Sequence, residues 1–143
     1  MINRLRRPLT AVTLATLFLA GHSAAAQTPA ARFVDSARVT IDRAVSDMDP
    51  TGLDGAITLL DRALVVFPDD AYLLHYRGYA RYWQVVGTFM AGKKETTPPT
   101  IQLALADLRK SAERLSWPET LQLEASLNGL LIAIDQPPHA DTE

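Results

Sequence analysis

Half of the aromatic residues in this sequence stand within a dozen positions. All four tyrosines, one of the two tryptophans and a histidine occur there: Tyr72, His75, Tyr76, Tyr79, Tyr82 and Trp83. Tyrosine and tryptophan combine a large apolar area with a hydrogen-bonding group, and such side chains often bind partner proteins. The same rings could instead fill the protein core. The sequence alone leaves both interpretations open.

Two arginines one helical turn apart lie within the same stretch. Arg77 and Arg81 could bind a carboxylate or phosphate, because guanidinium groups form charge-assisted hydrogen bonds with both. They could also pair with Asp61 or Asp69, or be solvated. We include both arginines among the candidate partner-binding residues.

The sequence lacks the motifs of common catalytic and metal sites. It has no cysteine, no HExxH motif, no acidic loop with calcium spacing, no G-x-S-x-G elbow and no glycine-rich phosphate loop. The adjacent carboxylates of Asp69 and Asp70 follow Pro68 and are better explained as the start of a helix, where free N–H groups favour negative charge. We therefore expect a protein that is not an enzyme and that needs no metal or cofactor.

The first 26 residues have the layout of a secretory signal peptide. Three arginines precede an uncharged apolar run over 9–21, whose 13 residues are fewer than the roughly 20 of a membrane-spanning helix. Ala24 and Ala26 supply the small side chains that a signal peptidase accepts. We expect cleavage after Ala26 and a periplasmic or secreted protein; an uncleaved anchor is the alternative.

Charge argues against a nucleic-acid partner. Cleavage would remove Arg4, Arg6 and Arg7, which changes the formal net charge from −2 to −5. Nucleic-acid binding rests on a concentrated basic face, whereas the remaining basic residues are scattered and outnumbered. We expect no binding to nucleic acid, and no membrane association once the signal peptide is removed.

The spacing of apolar residues predicts five amphipathic helices and an all-α fold. The predicted spans are 31–47, 53–67, 70–90, 101–115 and 119–134. Thr51 or Asp54 is expected to cap the second helix, and Pro98 and Pro99 are expected to keep the connection before the fourth helix non-helical. Asp107 is placed on the outward side of that helix. Residues 136–143 are predicted to be a disordered tail.

The second predicted helix carries a recognisable pattern of small and bulky residues. A small residue is followed by a bulky one four positions on, a small one three later and a proline five after that. These positions are Ala56, Leu60, Ala63 and Pro68. With Leu74 and Gly78 in the next helix, the pattern resembles a tetratricopeptide-repeat (TPR) protein, with the best match over 54–82. The resemblance implies two to two and a half antiparallel helical hairpins over 27–135, with Gly78 removing bulk where helices cross.

The resemblance also implies a function. In TPR proteins the first helices of the repeats face a concave groove that takes ligands, and the matching positions here are Tyr72, His75, Tyr79, Tyr82 and Trp83. We therefore expect an exported adaptor or scaffold that binds another envelope or secreted protein or peptide through this groove. The positions of the family's carboxylate clamp hold Ile41, Val45, His75 and Tyr79, so recognition of acidic C-termini is not expected.

Two other possibilities follow from the helical pattern. The chain could form a small helical bundle that holds an apolar small molecule or lipid between its third and fifth helices. The long aromatic helix could also pair with a second copy of itself in a homodimer.

Overall fold

The computed structural model describes residues 29–135, and within them the chain is all-α. The elements are α1 (Pro29–Ser46), α2 (Pro50–Val66), α3 (Ala71–Met90), a 3₁₀ turn (Lys94–Thr96), α4 (Pro98–Ala112) and α5 (Pro118–Asp135). This confirms the predicted fold class of five helices. The predicted signal peptide, 1–26, and the predicted tail, 136–143, lie outside the described residues.

Consecutive helices pack antiparallel, as hairpins. Ala37 in the first half of α1 shares a buried cluster with Ala63 near the end of α2, whereas Ala44 near the end of α1 clusters with Leu53 near the start of α2. The two helices therefore run in opposite directions.

Among the described helices, none is long and apolar enough to cross a membrane.

The third and fourth helices form a second hairpin. Val85 near the end of α3 packs with Ile101 near the start of α4, and at the other end the Ser111 hydroxyl donates to the Ala71 carbonyl at 2.8 Å. α3 also contacts α1 and α5. These contacts place α1, α3 and α5 along one side of the molecule, with α2 and α4 behind them.

Gly78 allows α3 to lie close against α4, as the sequence pattern predicts. A Cβ atom at this position would lie 2.7 Å from Leu108 Cγ and 3.3 Å from the Ala104 carbonyl oxygen. A side chain at this position would therefore force Leu108 to shift. The third helix is thus fixed in position along the middle of the fold.

Two predicted helix starts are wrong, and proline explains both. α4 begins at Pro98, although Pro98 and Pro99 were expected to exclude helix. Proline lacks an N–H group, but the first N–H groups of a helix have no partner within it, so the first turn tolerates proline. For the same reason α2 begins at Pro50, and its cap is Asp49 rather than Thr51 or Asp54.

The caps of α2 and α3 use the same chemistry. Asp49 Oδ1 accepts a hydrogen bond from the Thr51 N–H at 2.9 Å. Asp70 Oδ1 accepts from the N–H groups of Tyr72 and Leu73, each at 3.0 Å. The predicted role of Asp70 at a helix start is confirmed.

Candidate partner-binding cleft

A cleft of about 420 Å³ lies between α1, α3 and α5, and we call it the aromatic cleft. One wall is α1, the opposite wall is α5, and α3 lies between them. The residues that line it come from these three helices and from the connection before α5. They are Arg38, Asp42, His75, Tyr76, Tyr79, Tyr82, Trp117, Glu119, Gln122, Leu123 and Ser126.

The rings that line the cleft face different directions. The His75 and Tyr79 rings are nearly parallel, with 12° between their planes and 6.4 Å between their centroids. The Tyr76 ring stands at 86° to His75 and 83° to Tyr79. Trp117 completes the group, with its centroid 4.7 Å from that of His75. Because each ring packs on its neighbours, the aromatic surface is held in place before any ligand arrives.

His75 joins α3 to α5. Its side chain is only 5% exposed, and its Nδ1 shares a hydrogen bond of 2.8 Å with the hydroxyl of Thr120 in α5. Burial lowers the pKa of His75 to about 4, against a weaker opposing effect of the Glu119 charge. The imidazole is therefore neutral at pH 7 and adds no positive charge to the cleft.

Charged side chains stand on both walls. Arg38 and Asp42 lie one turn apart on α1, and Glu119 lies in the first turn of α5. Burial raises the pKa of the Tyr76 phenol, with Arg38 opposing this shift and Asp42 reinforcing it. The phenol is therefore protonated at pH 7 and is able to donate a hydrogen bond. None of the ion pairs formed by the described residues involves Arg38, Asp42 or Glu119.

This combination is typical of a binding surface. Partly buried aromatic rings supply apolar contact area, while hydroxyl and charged groups at the walls supply polar contacts.

No protein family model, curated protein or solved structure matches the chain. Its function is therefore inferred from the cleft and from the sequence.

The structure brings three of the seven predicted site residues into the cleft. His75, Tyr79 and Tyr82 line it directly. Tyr72 is exposed and packs edge-on against Trp117, with centroids 5.3 Å apart. Trp83 lies further along α3, in a cluster with side chains of α1 and α2, and its indole N–H is buried without a hydrogen-bond partner. The aromatic stretch thus serves both core packing and the cleft.

The two predicted arginines lie on a different face of α3, in a group that we call the ionic cluster. Arg77 donates through Nε and Nη2 to both oxygens of Asp107, at 2.9 and 2.5 Å, and through Nη1 to Asp61 at 2.7 Å. Arg81 also donates to Asp107. The alternative in which Arg77 pairs with Asp61 is confirmed. The guanidinium groups are engaged within the protein and do not line the aromatic cleft.

The structure corrects the expected position of Asp107. It was placed on the outward side of α4, but its side chain is buried, with 5% exposed. Two arginines from α3 compensate the cost of taking its charge out of water. Asp69, the other predicted partner of the arginines, instead contacts Lys110 at 3.0 Å and Arg114 at 3.3 Å.

Eight of the eleven lining residues were not among the predicted site residues, and five of these supply the rings and charges of the cleft: Arg38, Asp42, Tyr76, Trp117 and Glu119. Arg38, Asp42 and Glu119 read as ordinary polar positions of amphipathic helices, and Trp117 read only as part of a helix break. The one signal for Trp117 was its position directly before the proline that starts α5, which restricts its backbone to extended conformations but does not assign a direction to its side chain.

Proposed function

We propose that this chain is an exported, TPR-like helical module that binds another envelope or secreted protein through the aromatic cleft. The observation that carries the proposal is the preformed cleft between α1, α3 and α5. It is lined by packed aromatic rings and by Arg38, Asp42 and Glu119, none of which forms an ion pair with the described residues. Rings fixed in advance lower the entropy that binding costs, which favours recognition at this surface.

A polypeptide partner suits the mixed lining better than an apolar ligand does. The volume of the cleft is within the range of small-molecule pockets, so the alternative of an apolar small molecule or lipid has support from size. An apolar occupant, however, would remove water from Arg38, Asp42 and Glu119 without replacing their hydrogen bonds, and that is unfavourable. A peptide brings backbone and side-chain polar groups that compensate these charges.

Export rests on the N-terminal sequence. The basic start, the short apolar run and the alanines before residue 27 are typical of a cleavable signal peptide. The absence of cysteine in the sequence suits an oxidising compartment, because no thiol is available for unwanted disulfides. We place the module in the periplasm or outside the cell, as an adaptor or scaffold.

Site-specific photocrosslinking tests the proposal with a matched pair of glutamines. A benzophenone amino acid replaces either Gln122, which lines the cleft, or Gln102, which is exposed on α4 away from it. In cells of the source organism we expect a discrete crosslinked protein from position 122 and none from position 102. Adding Tyr79→Ala should abolish the crosslink while circular dichroism still reports a folded helical protein.

Two results would contradict the proposal. One is the same crosslinking pattern from both positions; the other is a crosslink that persists in the folded Tyr79→Ala variant. The small-molecule alternative predicts a different result, namely a bound apolar compound in native mass spectra of protein purified from its host. A wild-type spectrum that shows only the mass of the polypeptide would argue against that alternative.

A further inference from the structure

We infer that the aromatic cleft recognises a basic side chain, arginine or lysine, presented by a peptide segment of the partner. The inference rests on the proposed function and specifies the chemistry of the partner. It comes from two features of the same cavity: aromatic rings that face several directions, and two carboxylates on opposite walls, Asp42 and Glu119, that form no ion pair with the described residues.

The ring arrangement suits a cation. A guanidinium or ammonium group is attracted to the face of an aromatic ring, most strongly to tryptophan and tyrosine. Here Tyr76 is perpendicular to both His75 and Tyr79, and Trp117 is tilted 73° from Tyr76. Since rings of different orientation line one cavity, a positive group inside it is within reach of more than one ring face.

The charges on the walls of the cleft also favour a cation. Asp42 on α1 and Glu119 on α5 are negative. Arg38 is the one cation among the lining residues. His75 is buried and neutral and does not offset the carboxylates. The cleft therefore carries a net negative charge beside its rings.

These carboxylates differ from those that stabilise the fold. Asp61, Asp69 and Asp107 each contact at least one arginine or lysine of the protein. Asp42 lies one turn from Arg38, yet the described residues form no ion pair that includes Asp42 or Glu119. An incoming cation would supply the missing partner on both walls. An acidic segment would meet repulsion there, with a single arginine to attract it.

A direct test compares short blocked peptides that differ at one position. The probes are acetylated and amidated Gly-Ser-Gly-X-Gly-Ser-Gly, in which X is arginine, citrulline or glutamate; citrulline keeps the shape of arginine but is neutral. Nuclear magnetic resonance titration follows the indole N–H signal of Trp117, which is assigned with the variant Trp83→Phe. We expect the arginine peptide to bind about tenfold more tightly than the citrulline peptide, and the glutamate peptide to bind least.

Charge variants locate the effect in the cleft. Asp42→Asn and Glu119→Gln should each weaken binding of the arginine peptide several-fold and leave the citrulline peptide unaffected. Matched controls are Asp47→Asn and Glu113→Gln, which remove the same charge from exposed positions outside the cleft. The controls should retain the preference for arginine. Arg38→Gln should strengthen binding of the arginine peptide, since it removes the opposing charge.

The outcomes separate this inference from the proposed function. Equal affinity for the arginine and citrulline peptides, with shifts at Trp117, would overturn the cation preference and still support a binding cleft. Equal losses in cleft and control variants would show an effect of net charge and would overturn the site. No response at Trp117 to any peptide would also overturn the inference, whereas the crosslinking experiment decides the proposed function independently.

Discussion

Two faces of α3 each carry a pair of residues one helical turn apart, but the two pairs make different interactions. Arg77 and Arg81, one turn apart, point toward α2 and α4 and meet Asp61 and Asp107 in the ionic cluster. His75 and Tyr79, also one turn apart, line the aromatic cleft between α1 and α5. On the first face every charge is compensated within the protein. On the second face, the described residues form no ion pair that includes Asp42 of α1 or Glu119 of α5.

The contrast separates charges that are paired within the fold from charges to which we assign a role in the proposed recognition. A buried carboxylate is tolerated only when cations and hydrogen bonds compensate its lost hydration, and Asp107 has both arginines for this purpose. A carboxylate beside an open cleft keeps its water until a ligand replaces it. Variants in the ionic cluster should therefore change the stability of the protein. Variants in the aromatic cleft should change the binding of a ligand.

Removal of the charge of Asp107 should have the largest effect on stability. Asp107→Asn leaves two arginines facing a neutral amide, with guanidinium side chains only 20% and 14% exposed. We expect a loss of about 3–5 kcal/mol in the free energy of unfolding, measured by urea denaturation. Glu113→Gln, which removes an exposed charge from the end of the same helix, is the control and should change stability little. Comparable losses in both variants would remove the distinction between the faces.

Acid should destabilise the folded protein because the buried His75 resists protonation. The folded-state pKa is about 4, below the ordinary 6.5, so the unfolded chain binds the proton more readily between these values. Stability should therefore fall as the pH drops from about 6.5 to about 4, by roughly 2–3 kcal/mol, and this contribution should level off below pH 4. Urea denaturation of wild type and His75→Gln across this range checks it, because the variant should lack this component. Parallel curves would contradict the expectation.

Two glycines of α3 allow a tightly packed position and an open position to be compared within one helix. A Cβ at position 78 would press on Leu108, so Gly78→Ala should destabilise the protein by about 1–3 kcal/mol. A Cβ at position 87 meets nothing within 4 Å, so Gly87→Ala should stabilise the helix by about 0.5–1 kcal/mol. Thermal unfolding followed by circular dichroism measures both. Shifts of the same sign would argue against close packing of α3 on α4.

Loss of an exposed ion pair should have the smallest effect on stability. Asp69 contacts Lys110 and Arg114, and these two cations lower its pKa, but all three side chains are about half exposed. Asp69→Asn should therefore cause a small loss of stability at low salt, and that loss should vanish near 1 M salt, where the Debye length is about 3 Å. Urea midpoints at both salt concentrations test this. A large loss that resists salt would place Asp69 with Asp107 rather than with the surface.

Much of the fold was predictable because the core is built from periodic local patterns. Ile41, Leu60 and Leu108 recur at helical spacing in the sequence and are fully buried in the structure. Pro68 and Asp70 mark the turn into α3 by rules that act over a few residues. Helix starts were less predictable, since the proline that ends one segment is also a favourable first residue of the next. Pro98 shows this directly.

The site was less predictable because its chemistry depends on contacts between distant residues. Whether Asp107 faces water or two arginines is decided by how α3 crosses α4, 26 to 30 positions away along the chain. Trp117 stands in a connection, where no periodic pattern assigns a direction. Tyr79 and Arg77 occupy the same helix two residues apart, and their different roles follow from what packs on each side.

Among the helices that line the cleft, α5 has the fewest buried residues. α5 fully buries only Thr120 and Leu127, whereas α3 and α4 each bury six residues. Segments with few buried side chains open at lower free energy than the rest of a protein, so amides of α5 should exchange with deuterium sooner than those of α3. Exchange should therefore be fastest in the helix that carries Glu119, and a bound segment should slow it by adding contacts between α5 and the rest of the cleft.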